Sequence, residues 1–251
     1  MNGEMFERTI PFGEPELTRA SAFNRYLDEM AAESTQGGAN SRISQLSPSL
    51  QADLMRFEQD GTGSEAIEVI AACIRHAKRV AIQLQCGERL VPLTIFPQER
   101  LVHCPLPMAE LIERHVPSMR VLQVEPALLV PPGDEQRALI GDAHLHYPLA
   151  PLVWELAMRG PRRELLPEIS GPAVYRVAPG LDLAGLPTSG ALRAAIERLR
   201  RQACNVTEIA TWPALDRERA SRLLNALYLQ AGLMVSRSHP DAVRDSWFGG
   251  L

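Results

Sequence analysis

The segment "NVTEIATWPALDRERASRLLNALYLQAGLMV", residues 205–235, carries the clearest structural signals in the sequence. Its pattern predicts a short helix, a turn, a longer helix and the start of a strand. Asn205 followed three residues later by Glu208 is a capping-box pattern, in which each side chain bonds the backbone of the other residue where a helix begins. Trp212-Pro213 then ends the short helix, because proline lacks the N–H that a helix interior needs.

The longer helix is predicted from Arg217 to about Ala231, with Asp216 as its cap. Apolar residues recur in it at the i, i+3, i+4 and i+7 positions that face a core. These residues are Ala220, Leu223, Leu224 and Leu227. Gly232 is the expected left-handed stop. The residues "LMVSRS" that follow are predicted to form a strand.

Another helix is predicted just before this segment, in "ALRAAIERLRRQ" (191–202), where Leu192, Ile196 and Leu199 have helical spacing. Together with "TEIA" and "LDRERASRLLNALYLQAGLMV", it resembles the winged helix-turn-helix superfamily, whose members often read "eIA", "ld", "ll" and "Gll" in this order. The resemblance covers about 45 residues and implies a winged-helix-like module at 191–238. Similar folds read DNA in many regulators and contact proteins elsewhere.

If the module reads DNA, the exposed N-terminal face of the longer helix enters the major groove. The residues of this face, with one from the wing after Val235, are Arg217, Arg219, Ser221, Arg222, Asn225 and Arg237. Arginine and asparagine suit guanine and adenine edges, and arginine also suits phosphate. Glu218 lies in the same face and would repel phosphate, and the wing offers one firm cation. We therefore expect contact with a partner protein or self-association, with double-stranded DNA as the alternative.

Charge is distributed unevenly along the chain. The whole sequence carries −4, which argues mildly against a protein that coats nucleic acid. Residues 186–251 hold nine arginines against six acidic residues, so they carry +3 and the rest of the chain carries −7. Lys78 is the single lysine beside 25 arginines, so a mechanism that needs a lysine amine has only this residue.

The chain before the module changes from helical to strand-like patterns. Helices are predicted at 14–33, 47–59, 65–78, 107–115 and 148–160. Strands are predicted in "RVAIQLQ", "RLVPLTIF", "RLVHC" and "MRVLQVE", and the turns between them favour an antiparallel meander. We therefore predict an α+β fold in two domains. Residues 1–135 combine N-terminal helices with the sheet, and residues 136–251 form a mainly helical domain that ends in the winged-helix-like module.

Asp142, His144 and His146 alternate in "DAHLH". On a strand they would share one face, as metal ligands can, and His103 or Cys104 would supply a further ligand. Two histidines beside a Tyr-Pro turn are more often hydrogen-bonded or exposed. A metal-assisted hydrolase is thus the second alternative, although the sequence has no GxSxG, HExxH, phosphate-loop or GxGxxG template.

A basic cluster of Arg75, Lys78 and Arg79 precedes the first predicted strand. It could bind an anionic ligand such as a nucleotide. Cationic residues at a helix end also complement the helix dipole, and we favour this structural interpretation.

The four cysteines are widely spaced and form no CxxC pair, which predicts free thiols in a reducing compartment. The N-terminus lacks the apolar region of a signal peptide, and no apolar run approaches the ~18 residues of a membrane span. We therefore expect a non-enzymatic, bacterial-type cytoplasmic regulatory or adaptor protein that uses no cofactor and does not contact a membrane.

Overall fold

The structure is a computed structural model that describes residue 25 and residues 47–59, 65–132, 139–140, 143–188 and 190–237. Within these residues the chain is an α+β protein, as the sequence predicts. Most of the helix predicted at 14–33, and the C-terminal tail from residue 238, lie outside the described residues. Arg25, which is described, is helical.

The described strands, in chain order, are β1 (Val80–Cys86), β2 (Arg89–Phe96), β3 (Leu101–His103), β4 (Arg120–Pro126), β5 (Leu129–Val130), β6 (Leu139–Ile140), β7 (His146–Pro148), β8 (Val174–Val177) and β9 (Leu233–Ser236). Five of them form one antiparallel sheet in the order β4-β1-β2-β3-β7. The predicted meander is therefore confirmed for β1, β2 and β3. β1 buries Val80, Ile82 and Leu84 completely, as its alternating pattern predicts.

A two-residue turn joins β1 to β2, because Cys86 pairs directly with Arg89. Gly87 in this turn has φ = 64°, a left-handed conformation that glycine adopts without the steric cost of a Cβ. The turn sets the register that pairs buried Leu84 of β1 with buried Val91 of β2, and Ile82 with Leu93.

The described helices, in chain order, are α1 (Pro48–Gln59), α2 (Ala66–His76), α3 (Met108–His115), α4 (Leu149–Arg159), α5 (Gly190–Arg201), α6 (Val206–Ile209) and α7 (Arg217–Leu229). Each lies within three residues of its predicted bounds. α4 ends where the sequence predicts, at Gly160, whose N–H donates to the carbonyl of Leu156 at 3.0 Å.

One cluster of buried side chains extends across both predicted domains. It includes Ile82 of β1, Trp154 of α4 and Leu224 of α7. α4 packs against both α2 and α7, and β7 pairs with β3 on the other side of the predicted boundary. The division after residue 135 stays a prediction, but the core is continuous across it.

We call residues 190–237 the C-terminal module. It contains α5, α6, α7 and β9. β9 pairs antiparallel with β8, and Tyr175 of β8 also forms an antiparallel bridge with Cys204. β8 therefore lies between Cys204 and β9 in space, although it precedes α5 in the sequence.

Gly232 was expected to end α7 in the left-handed conformation, but the structure gives that conformation to Ala231, with φ = 57°. The N–H groups of Ala231 and Gly232 close the helix on the carbonyls of Tyr228 and Leu227 at 2.8 and 3.0 Å. Glycine at 232 has a different role, because a Cβ there would lie 2.3 Å from a methyl carbon of Leu181. Close packing, rather than backbone conformation, accounts for this glycine.

Candidate functional site

Both helices of the predicted helix-turn-helix begin with the side-chain caps that the sequence predicts. At α6, Asn205 Oδ1 accepts from the backbone N–H of Glu208 at 2.8 Å, and Glu208 Oε2 accepts from the N–H of Asn205 at 3.1 Å. At α7, Asp216 Oδ1 accepts from the N–H of Arg219 at 2.7 Å. These bonds satisfy N–H groups that a helix start leaves without partners.

Asn225 of α7 is fully buried and holds the chain at residues 164–166. Its Oδ1 accepts from the N–H of Leu166 at 2.9 Å, and its Nδ2 donates to the carbonyl of Glu164 at 2.8 Å. Both ends of the amide are therefore bonded to backbone within the molecule.

Arg222 binds the end of α4. Its Nη1 donates to the carbonyls of Gly160 and Ala157 at 2.8 and 3.3 Å, and its Nε donates to Glu218 at 2.9 Å. The side chain is 12% exposed. The arginine thus caps the carbonyl end of α4, where cations are favoured.

The prediction that the reading face of α7 is exposed is wrong for three of its residues. Asn225, Arg222 and Ser221, which is 4% exposed, lie against or within the protein. The physical reason is that α7 packs tightly on α4, so its polar stripe is covered as well as its apolar stripe. Arg217 and Arg219, in the first turn, are exposed as predicted.

Arg237, predicted to be the cation of the wing, is also bound to the protein. Its Nη2 donates to the carbonyls of Glu168 and Ser170 at 2.8 and 3.3 Å. The arginine therefore holds the loop before β8, although it is exposed at the surface.

An open cleft of about 660 Å³ lies beside the first turn of α7, and we call it the α7 cleft. Its lining includes Arg163, Ser170, Thr207, Arg217, Glu218 and Ser221. Glu218 Oε2 lies 3.8 Å from Arg163 Nε, and Glu218 Oε1 accepts from Arg222. The cleft therefore carries both signs of charge and presents no uniform field for a polyanion.

A second concavity, which we call the α5 groove, lies between α5 and the turn after α6. Its volume is about 220 Å³, and its lining is Ala191, Ala194, Ala195, Arg198, Trp212, Pro213 and Ala214. The guanidinium carbon of Arg198 lies 4.4 Å from the centroid of a Trp212 ring. Sequence reasoning missed this site. The available signal was a stripe of alanines, Ala191, Ala194 and Ala195, that borders the apolar stripe of Leu192, Ile196 and Leu199 on α5.

The predicted anion-binding residues are largely neutralised by carboxylates. Arg75 pairs with Asp53 and with Glu168, the latter at 2.5 Å, and Arg79 pairs with Glu99 at 2.6 Å. Lys78 is exposed. The pairs support the structural interpretation of this cluster.

The predicted metal ligands do not share one strand. His144 lies in a 3₁₀ turn (Ala143–Leu145) and is exposed, whereas His146 begins β7. His146 faces His103 of β3, with ring centroids 4.9 Å apart. Asp142 lies outside the described residues. The alternation on a strand is therefore wrong, and the described residues contain no group of three ligands placed to hold a metal ion.

All four cysteines are buried as reduced thiols. Burial raises the pKa of Cys86 to about 12 and that of Cys104 to about 11, and it raises the pKa of Cys73 further. Removing a thiolate from water is unfavourable, so these three groups stay protonated at neutral pH. They are not activated nucleophiles.

Comparison with protein-family models, with curated proteins and with solved structures finds no match to this chain. None of the described helices has the length and apolar character needed to cross a membrane.

Proposed function

We propose that this chain is a non-enzymatic regulatory or adaptor protein and that its C-terminal module binds another protein. The observation that carries the proposal is the internal use of α7, which matches the helix that DNA-reading winged-helix proteins insert in the major groove. Asn225 and Arg222 bond four backbone groups outside α7, and Arg222 also bonds the carboxylate of Glu218 within the helix.

The energies favour keeping these contacts. Releasing Asn225 to read a base would leave the buried N–H of Leu166 without a partner, at about 1–3 kcal/mol, and would also break the part-buried bond to the carbonyl of Glu164. One good bidentate contact to a base contributes only about 1–3 kcal/mol of discrimination. The exchange would therefore bring no net gain in free energy.

The surfaces left exposed suit a protein partner. The α7 cleft combines arginine, glutamate and hydroxyl side chains, and the α5 groove is apolar. Protein interfaces mix an apolar centre with a polar rim, whereas a nucleic-acid surface needs a continuous positive stripe. A reducing compartment such as the cytoplasm suits the four reduced thiols.

DNA binding is tested by fluorescence anisotropy with a pool of labelled genomic duplexes at low and at physiological salt. We expect no binding at either salt concentration. Binding that weakens steeply with salt and is lost in Arg217→Ala/Arg219→Ala would overturn the proposal, because phosphate contacts release counterions. The matched control is Arg89→Ala/Arg120→Ala, which removes two exposed arginines from the sheet.

Protein binding is tested by replacing Arg219 with a photoreactive amino acid and irradiating cells that express the full chain. Arg219 is exposed, so the replacement should leave the fold intact. We expect a discrete protein adduct from position 219 and none from the same probe at Arg120, on the sheet. Equal labelling at both positions would show that the module has no special affinity for protein.

A further inference from the structure

The α5 groove is large enough to hold one side chain of a partner, but it is smaller than a typical small-molecule site. Its volume of about 220 Å³ lies below the roughly 300–1,000 Å³ of small-molecule pockets. Its walls are the methyl groups of three alanines on α5, with Trp212, Pro213 and Ala214 opposite. An apolar concavity of this kind accepts one large apolar side chain of a partner.

The charges beside the groove indicate what surrounds that side chain. α5 carries four arginines against one glutamate. Glu197 is paired with Arg200, at 3.5 Å. Arg198 and Arg201 are exposed and form no ion pair with a described residue. Ala194, Arg198 and Arg201 are spaced i, i+4 and i+7, so they follow one line along the helix beside the groove.

Arg198 is held in place for such a contact. Its guanidinium lies over Trp212. With the Gln202 amide turned so that its oxygen faces Arg198, that oxygen accepts from Arg198 Nε at 2.8 Å. Its Nη1 makes no hydrogen bond to a described residue. A guanidinium fixed by stacking loses little conformational freedom when it binds a carboxylate.

We propose that the α5 groove binds an acidic segment of a partner protein. A large apolar side chain of that segment fills the groove between Ala194 and Trp212, and carboxylates on either side of it pair with Arg198 and Arg201. This inference rests on the proposed function and names the chemistry of the partner. The net positive charge of the module gives long-range attraction to the same class of segment.

The test follows the Trp212 indole N–H signal by NMR, assigned with Trp212→Phe, in the purified full chain. The probe is a synthetic peptide with one phenylalanine flanked by glutamates in a Gly/Ser background. We expect it to shift the Trp212 signal and to leave the signal of Trp154, which is 1% exposed, unchanged. Peptides with the phenylalanine changed to alanine, or the glutamates to lysine, should shift it much less.

Variants separate the two parts of the site. Ala194→Glu places bulk and negative charge in the groove and should abolish binding; Ala194 is exposed, so the fold should tolerate it. Arg201→Gln should weaken binding about two- to fivefold, the range of an exposed ion pair. Arg193→Gln removes the same charge from an exposed position outside the groove, about 140° around the helix from Arg198, and should change nothing.

Either of two results would overturn the inference: no shift of the Trp212 signal by the acidic peptide, or an equal shift by the basic one. A larger shift with a short DNA duplex would instead identify a nucleic-acid surface. If the peptide fails while the adduct at position 219 forms, the module binds protein through another surface. If both fail, the proposed function fails with the inference.

Discussion

Asn225 shows how one polar side chain can decide which surface of a helix is available. Its amide bonds two backbone groups 59 and 61 residues earlier in the chain. These bonds connect α7 to the segment between α4 and β8. Breaking them is costly, because a buried backbone group would lose its partner.

We expect Asn225→Ala to lower the free energy of unfolding by about 1–3 kcal/mol, because it leaves the buried N–H of Leu166 without a partner and breaks the part-buried bond to the carbonyl of Glu164. Urea unfolding followed by circular dichroism measures the change. Arg219→Ala, on the exposed side of the same helix, should stay within about 0.5 kcal/mol of the parent protein. Similar small effects for both variants would contradict the scaffold role of Asn225.

The buried thiols make the free energy of unfolding fall as the pH becomes alkaline. Cys104 has a folded pKa of about 11 against an ordinary value of 9.0, so the folded state keeps a proton that the unfolded chain releases. Its contribution is complete below the ordinary pKa and is lost progressively as pH rises toward the folded pKa.

We therefore expect the free energy of unfolding to fall between pH 9 and pH 11, with each such thiol contributing about 1.4 kcal/mol per pH unit. Urea titrations at several pH values measure the slope. Cys104→Ala should reduce the slope by the contribution of one proton. An unchanged slope in this variant would show that Cys104 titrates normally in the folded protein.

Helix ends depend on chain geometry as well as residue type. Ala231 takes the left-handed conformation at the end of α7, which is strained for a residue with a Cβ, while Gly232 fits closely against Leu181. The sequence pattern predicts the left-handed conformation at Gly232, but the structure places it at Ala231.

We expect Ala231→Gly to stabilise the protein by about 0.5–1 kcal/mol, because relief of left-handed strain exceeds the entropy that glycine adds to the unfolded chain. The same change at Ala194, which is exposed within α5, should destabilise by about 1 kcal/mol. Thermal and urea unfolding of the two variants show whether each change raises or lowers the free energy of unfolding. Destabilisation by both would mean that Ala231 is not strained.

The two predicted domains are joined by polar contacts as well as by the common core. Arg100, between β2 and β3, donates to the carbonyl of Leu229 at the end of α7 at 3.0 Å. Arg162, after α4, pairs with Glu68 of α2. Burial is the largest influence on Glu68 and raises its pKa, although Arg162 opposes the change. These contacts tie the sheet and α2 to the second half of the chain.

We therefore expect the full chain to unfold in one cooperative transition. Trp154 reports on the centre of the core, and Trp212 reports on the module. A variant without Trp154 and a variant without Trp212 should each show the same urea midpoint by fluorescence as by circular dichroism. Separate midpoints would support independent domains with the predicted division after residue 135. The isolated fragment 190–251 should remain largely unfolded, because α7 would lose α4 as its packing partner.

Local patterns in the sequence were sufficient for the seven helices of the described residues, for β1, β2 and β3, and for both helix caps of the module. These features depend on contacts within a few residues, as in the reciprocal bonds of Asn205 and Glu208. The apolar stripe of α7 was also predicted correctly, since Leu223, Leu224 and Leu227 are fully buried.

Only the tertiary structure decided which polar residues face solvent. Helical periodicity identifies the side of α7 that must be buried, but it does not show how much more of the helix its neighbours cover. α4 and residues 164–166 cover Arg222 and Asn225, and those residues lie about 60 positions away in the chain. The α5 groove likewise forms only where Trp212 comes to lie against α5. The sequence thus specifies local hydrogen bonds and periodic faces, whereas long-range packing determines which surfaces remain open to a partner.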